Sequence, residues 1–404
     1  MATTIKVNKA RTDIIAKAQG IIYFDTDNRY PNTMLNIIER SPTSRAVTRV
    51  KERFIFGHGM SESGDFWKRH INVKQQRVDQ LIRRIIDSYV KHGGFALHFN
   101  YNSMYEKTSV RVVPFEKCRL GKPDDQNFKG KVIVYDNWND FDYRKAKAYN
   151  TYNPDPVVIA RQVDLAGGWE KWKGQIWYFG ENGEMEYPLS PFESCKNEMI
   201  TEILLGAGKN SNASTNFLAS QIFVYPGSFA ETSPYPDDRE RSDNGQTTRF
   251  ETEIKEMLAS MQGASKAGAV GLIENNIKDN DGKPVKMEVL KFDIQNFDKI
   301  FEHTEKSCEN TIIKTSGVPH ILIIPTATGF SQELLNNYYQ FYNEATSYER
   351  QLIEETAMEI FSRWHYEINP AQDYSIKKLT LTIDQDQPLN RNNETASNSN
   401  NSFN

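Results

Sequence analysis

The chain has 404 residues, 38% of them hydrophobic and 25% charged, ordinary proportions for a soluble globular protein with room for roughly two or three domains of core. A formal net charge of −4 excludes a protein that holds nucleic acid by bulk electrostatics, because each neutralised phosphate needs a Lys or Arg; transient or sliding contact stays open. No apolar run approaches the roughly 18 residues of a membrane span, and MATTIKVNKARTDIIAKAQG at the N-terminus has no signal-peptide core, so the sequence implies a protein made and kept in a cytoplasm, with no membrane partner.

The first 190 residues or so read as α+β. Pro31 opens a short helix (TMLNIIER), and Ser41-Pro42 restarts one, with Ser as N-cap and Pro at the first helical position, running to Gly57. A third helix, VKQQRVDQLIRRIIDSYVKHGG, carries Val78, Leu81, Ile82, Ile85 and Tyr89 at helical spacing and ends at Gly93-Gly94. FALHFNYN, SVRVVPF, GKVIVYDNW, PVVIARQV and GQIWYFGENGEMEYP follow; their β-branched and aromatic content, with Asn-Gly and Pro/Asp turn signals, predicts an antiparallel sheet.

At Leu189 the texture changes. Ser190-Pro191-Phe192-Glu193 is a capping box, and the helix it opens has Phe192, Cys195, Met199, Ile203 and Leu204 on one face. That helix is weakened at Gly206 and Gly208, within GAGKNSNAS, where a break is expected unless it extends toward Ser220. A compact β-loop-αββ insert of about seventy residues comes next: strand IFVYPG, a polar loop from Ser228 to Thr248, helix RFETEIKEMLASMQG, strand AGAVGLIEN, an Asp281-Gly282 turn and strand VKMEVLKFD. Asp293 then caps a second long helix, IQNFDKIFEHTEKSCENTIIKTS, stopped by Gly317 with Pro319 beyond. After it the pattern predicts a short apolar strand around Ile321 to Ile324 and an exposed loop from Pro325 to Ser331. An unbroken helix of some thirty residues, a strand (SIKKLTLTID) and an Asn/Ser-rich tail that cannot bury a core complete the chain.

The second long helix divides into three faces at about 100° per residue. Phe297, Ile300, Phe301, Thr304, Cys308, Thr311 and Ile312 make an apolar side; Asp298, Glu302, Glu305 and Glu309 make an acidic stripe, and Lys299, His303, Lys306 and Lys314 a basic one. One reading is a surface helix with i,i+3 and i,i+4 charge pairs. The other is a helix packed in a ring, its charged flanks offered to adjacent copies or to a polyanion in a lumen; at about 1.5 Å per residue it is about 35 Å long, enough to line a channel wall.

Catalytic signatures are absent from the sequence. There is no GxxxxGK[ST], GxGxxG or HExxH, and the Gly-Lys pairs at Gly121, Gly130, Gly208 and Gly282 are followed by Pro, Val, Asn and Pro. The scattered histidines and the cysteines Cys118, Cys195 and Cys308 have no metal-ligand spacing, so no cofactor or metal is expected and the cysteines are read as buried thiols. Asp25/Asp27 and Asp384/Asp386 are read as solvated loops rather than metal ligands, and Tyr338, Tyr339, Phe341 and Tyr342 as packing rather than base stacking.

The order of elements resembles the portal proteins of tailed bacteriophages: a wing, two stem helices bracketing a clip module, a tunnel loop, a long helix and a crown. The resemblance covers residues 30 to about 395 and is most specific in the insert leading to a helix that ends Ser-Gly-Val-Pro-His-Ile-Leu, followed by a polar loop and a long helix; YVKHGGFALHFNYN and LTLTIDQDQPLNRNNETAS also look like wing segments. It implies an N-terminal wing over 1–189, stem helices over 190–221 and 294–318, a clip over 222–293, a strand and tunnel loop over 319–331, a long helix and returning wing strand over 332–386, and a disordered tail over 387–404. A crown is expected to be very short or missing.

The resemblance further implies a non-enzymatic virion protein. About twelve copies would form a ring at one capsid vertex, through which double-stranded DNA is packaged and ejected. The major capsid protein, with or without a scaffold, the terminase and later a neck or adaptor protein would be its partners, with assembly in the host cytoplasm. Thr326, Thr328, Gly329, Phe330 and Ser331 would form the tunnel loop; with no Lys or Arg it neutralises few phosphates and lets the duplex slide. The basic stripe would face the channel or an adjacent subunit, and the acidic stripe an adjacent subunit. Another ring-forming virion component (neck, adaptor or baseplate) and a metal-dependent DNA-processing enzyme are the competing readings.

Overall fold

The Ser41 side chain joins two helices, α1 (Tyr30–Arg40) and α2 (Pro42–Phe56): its Oγ accepts the Ser44 N–H at 3.3 Å, and Pro42 takes the first position, where a missing N–H costs nothing. The computed structural model describes residues 14–15, 20–60, 66–181, 185–214, 221–226, 233–250, 252–253, 256, 270–275, 288–291, 297–323, 331–366 and 372–381. A two-residue ladder of β1 (Ile14–Ile15) and β2 (Ile22–Tyr23) precedes α1. The third helix, α3 (Val78–His92), ends at Gly93 as predicted but starts later. Residues 73–77 make a turn in which the Asn72 side chain accepts from the Lys74 and Gln76 N–H groups, and Gln80 accepts from the Arg77 N–H.

The sheet contains β3 (Gly94–Tyr101), β4 (Lys107–Val113), β5 (Cys118–Leu120), β6 (Lys131–Val134), β7 (Lys147–Thr151) and β8 (Gln175–Gly180), ordered β4-β3-β8-β7-β6-β5. It departs from the antiparallel expectation at one pair: β7 and β8 are parallel. PVVIARQV, expected as a strand, is the crossover helix α4 (Pro156–Ala166) between them. Asp155 accepts the Val157 N–H at 2.9 Å, Pro156 sits at the first position, Gly167 closes the helix, and Ile159 and Val163 are buried one turn apart, so capping and a 3.6-residue period override the β-branched composition. β8 stops at Gly180; 182–184, with the Asn-Gly turn, lie outside the described residues, and no ladder partner for β8 follows among those described.

Two cores flank the α2–α3 layer. One holds Leu81, Ile82 and Ile85 of α3 against Phe95, Leu97 and Phe99 of β3 and Ile353, Ala357 and Ile360 of the last helix. The other joins Met34 and Ile38 of α1 to Cys195, Met199, Ile312 and Tyr342, so the two long helices are rooted in the same apolar mass as α1 and α2. Burying each such Leu, Ile or Met side chain contributes about 1.5–3 kcal/mol.

The first long helix, α5 (Lys196–Ser214), follows a 3₁₀ turn (Glu193–Cys195) and runs unbroken through Gly206 and Gly208, against the expectation of a break; 215–220 lie outside the described residues. In the insert, β9 (Gln221–Pro226) is central, parallel to β10 (Val270–Asn275) and antiparallel to β11 (Glu288–Lys291), so the last two strands pair with the first rather than with each other. The loop between β9 and β10 carries α6 (Asp238–Asp243), and the Asp238 carboxylate accepts the Arg249 and Phe250 N–H groups at 2.8 and 3.0 Å where the expected helix opens.

The second long helix, α7 (Phe297–Ser316), ends at Gly317 with φ 71°, a left-handed conformation glycine adopts without strain; its expected cap, Asp293, lies outside the described residues. The apolar strand at 321–324 is instead a 3₁₀ turn, His320–Leu322. The thirty-residue helix is two, α8 (Gln332–Ala345) and α9 (Ser347–Phe361), broken at Thr346. SIKKLTLTID forms no ladder over its described part: residues 375–381 are extended along His58–Met60, where Lys377 N–H donates to Gly59 O at 2.8 Å and Asn343 Nδ2 donates to Leu379 O at 2.8 Å. The backbone of His58–Met60 and the side chains of Asn343, Glu354 and His58 together take the segment's polar groups in place of a full strand. Gly57 permits this approach, since a Cβ there would lie 1.9 Å from Lys377 O.

Candidate nucleic-acid interface

α5 and α7 form an antiparallel pair. Lys209 Nζ lies 2.5 Å from the Glu305 carboxylate, the Glu202 and Glu198 carboxylates sit beside Cys308, and Thr315 meets Cys195, so contacts advance along α5 as they retreat along α7. Their shared face follows the prediction at Cys195, just ahead of α5, at Met199 on α5 and at Cys308 and Ile312 on α7, all buried, but not at Leu204, which is 51% exposed. All three cysteines are buried, as expected; burial pushes the Cys195 thiol up to about 11 and that of Cys118 to about 12, so both stay protonated.

The base of the pair is fixed by polar groups. Glu202 of α5 accepts from the Thr43 N–H at 3.2 Å, from the Thr43 hydroxyl at 2.5 Å and from the Ser41 hydroxyl, placing a carboxylate on the N-terminus of α2 where backbone N–H groups are unpaired. Tyr30 OH accepts from the Ser190 N–H at 3.0 Å and donates to Glu193 at 2.8 Å. The predicted capping box is therefore closed through a tyrosine hydroxyl rather than by a direct Glu193 bond.

Along the outer side of α7, Lys299, His303, Lys306, Lys314, Glu302 and Glu305 are exposed and Glu309 is half-buried, 4.0 Å from His320 Nε2. The acidic and basic stripes touch: Lys306 Nζ donates to Glu302 at 2.6 Å, a bond that holds the Glu302 carboxyl below its ordinary pKa and raises that of Lys306. Glu305 is taken by Lys209 of α5, a residue within the polar stretch read as a helix break; its place opposite Glu305 has no local sequence signal. Asp298 belongs to α7 by its backbone.

Of the predicted loop, Thr326, Thr328, Gly329 and Phe330 lie outside the described residues. Ser331 is the N-cap of α8, its Oγ accepting the Leu334 N–H at 3.1 Å. The aromatic cluster divides: Tyr342 is buried against Phe54, with Tyr339 beside it, whereas Phe341 is exposed and does not pack as expected.

Among the described residues no group of three His, Cys, Asp or Glu side chains is gathered as for a metal ion. Asp25 and Asp27 bond the backbone N–H groups of Thr26 and Arg29, as turn residues do; Asp384 and Asp386 lie outside the described residues. No described helix is long and apolar enough to cross a membrane.

No family model matches the chain, and no curated protein matches it. Among solved structures, it is similar to the neck of the native gene transfer agent particle computed with C12 symmetry, at 15% identity over 83% of this chain and 82% of that one, TM-score 0.46. It is similar to the virion of the native gene transfer agent particle at 14% identity over 76% of this chain and 74% of that one, TM-score 0.40. It is also similar to an HK97 family phage portal protein from Corynebacterium diphtheriae, at 11% identity over 77% and 84% of the two chains, TM-score 0.34.

Proposed function

We propose that the chain is a phage portal subunit, a non-enzymatic virion protein whose copies form a ring around a DNA channel. The observation that carries this reading is the antiparallel helix pair α5–α7, rooted in the wing core at one end and bracketing the three-stranded insert at the other. In a ring, the helix pairs become staves, and the insert is carried away from the wing to meet the packaging terminase and then a neck or adaptor protein.

In this reading the exposed Lys299, His303, Lys306 and Lys314 ring the channel or meet the next subunit, with Asp298, Glu302, Glu305 and Glu309 on the subunit-facing side. Residues 326 and 328–331 make the tunnel loop. The net charge of −4 and the lack of Lys or Arg in that loop fit a conduit that touches DNA without gripping it. The sites, the domain bounds, the ring of about twelve subunits and the capsid-vertex location all belong to this proposal.

Mass photometry with negative-stain electron microscopy of the purified chain tests it. Rings with a central hole and roughly twelve-fold mass are expected. A monomer that persists at high concentration would overturn the reading.

A further inference from the structure

A basic hollow lies beside α4, away from the stem. Its cavity, about 320 Å³, is lined by Lys131, Lys171 and Lys173 with Asn150, Gln162 and Trp172, and among the described residues no carboxylate lines it. Lys131 Nζ turns to the Asn127 carbonyl at 2.8 Å. The Trp172 indole N–H is buried with no acceptor among the described residues. Next to this hollow α4 exposes an apolar stripe: Leu165, which also lines the cavity, and Val157 are 80% and 74% exposed, with Arg161 between them at i,i+4 spacing. Cations, an unused donor and bare apolar side chains together describe a surface for an acidic, apolar partner.

The same chain presents such a partner. On α8 and α9, Leu334, Phe341 and Tyr348 recur every seven residues and are 42%, 64% and 64% exposed, a ridge turned away from the molecule's own core. Glu333 and Glu355, both exposed, accompany the ridge near its two ends. Because both faces are open in one subunit, neither covers the other within it. Two complementary faces on different parts of a molecule make a heterologous contact, the kind that closes into a ring when the rotation permits.

We propose that the Lys131–Lys171–Lys173 hollow and the α4 stripe receive the acidic, aromatic ridge of α8–α9 from a second copy of this chain. The proposal rests on the ring-forming reading above and names the surfaces that build the ring. A nucleic-acid backbone is the poorer fit, since phosphates offer nothing to Val157, Leu165 or a ring of exposed aromatic side chains.

Mass photometry of the full chain tests the pairing with Lys171→Glu/Lys173→Glu, with Glu333→Lys/Glu355→Lys, and with all four changes combined. Circular dichroism melts establish that each variant is folded. Each double variant is expected to lose the ring species, and the combined variant, with the two charges exchanged, to regain it. Phe341→Ser/Tyr348→Ser tests the apolar part without altering charge and is expected to lose the ring as well. Rings that persist in both charge doubles would overturn this inference and leave the ring reading standing, and so would failure of the combined variant to recover. Loss of short duplex DNA retention with ring mass unchanged would assign the hollow to nucleic acid and also overturn it. A monomeric wild type would remove both readings together.

Discussion

Glu202 and Thr43 are 159 positions apart, yet the carboxylate of one accepts both the backbone N–H and the hydroxyl of the other, at 3.2 and 2.5 Å. This contact fastens the first long helix to the N-terminus of α2 and so sets the direction of the helix pair. Glu202→Ala removes acceptors from three donors, and a loss of about 2 kcal/mol in unfolding free energy is expected. Urea denaturation measures it; a change within experimental scatter would show that water replaces the carboxylate at no cost.

Tyr30 acts at the other polar junction at the base of the helix pair. Tyr30→Phe leaves the Ser190 N–H without its acceptor in a buried site, so a loss of about 1–3 kcal/mol is expected despite the preserved ring. A midpoint equal to that of the wild type in chemical denaturation would contradict this.

Arg350 holds the break between α8 and α9. Its guanidinium, buried, donates to Phe54 O at 3.1 Å, Thr346 Oγ1 at 3.0 Å and the Asn343 carbonyl, which also accepts from the Thr346 hydroxyl near the end of α8. Arg350→Lys keeps the charge but loses the planar fork, and about 2–3 kcal/mol of destabilisation is expected, seen as a lowered thermal midpoint. Unchanged melting would mean the break is held by Thr346 alone.

His92 and His98 are buried, and burial lowers both to about 4. His98 is further placed by Lys173 O, 2.7 Å from Nε2, and by Arg111 Nε, which donates to Nδ1 at 3.2 Å, leaving no site for a second proton. Between pH 4 and the ordinary histidine value the unfolded chain binds more protons, so stability falls as pH falls through that window. Glu52, raised to about 7 by burial and by Asp87, opposes this, since its native form takes a proton first. Two histidines outweigh one carboxyl. His98→Gln is expected to flatten the acid slope of denaturation midpoints between pH 6.5 and 4; an unaltered slope would discount it.

Lys107 gives a dependence of the same sign at alkaline pH. It lies 1% exposed between the Phe99 and Tyr152 rings, its ammonium bonded to Glu359 O at 2.5 Å and Ser362 Oγ at 3.0 Å, and burial lowers it to about 8. Above pH 8 the native chain releases this proton while the unfolded chain still holds it, so Lys107 contributes rising stability between pH 8 and 10. Lys107→Met is expected to abolish that rise, read from denaturation midpoints across the window.

Much of this architecture was legible because its signals are local. Ser41-Pro42, the glycine stops at Gly57, Gly93 and Gly317, and the buried stripe Cys308–Ile312 depend on capping geometry and on a helix repeat that neighbouring residues alone define. The charged positions of α7 were legible as stripes for the same reason, but not their partners. Lys209, which takes Glu305, lies in a stretch whose glycines read as a helix break, and Glu202 carries no local mark of its bond to Thr43.

What the tertiary structure decided is everything set by distant groups. PVVIARQV reads as a strand by composition although its helix signals, Asp155-Pro156 and Gly167, are local; only its role as the crossover between parallel β7 and β8 needed the tertiary structure. The helix after Ser331 reads as continuous, yet Arg350 needed buried carbonyls and found them at a break beside Thr346. Residues 375–381 have strand alternation, yet the acceptors they met were Gly59 O and a histidine nitrogen rather than a neighbouring strand. Local sequence fixes which conformations are inexpensive; which of them is adopted depends on where the remaining polar groups and apolar faces find partners, and those lie hundreds of positions away.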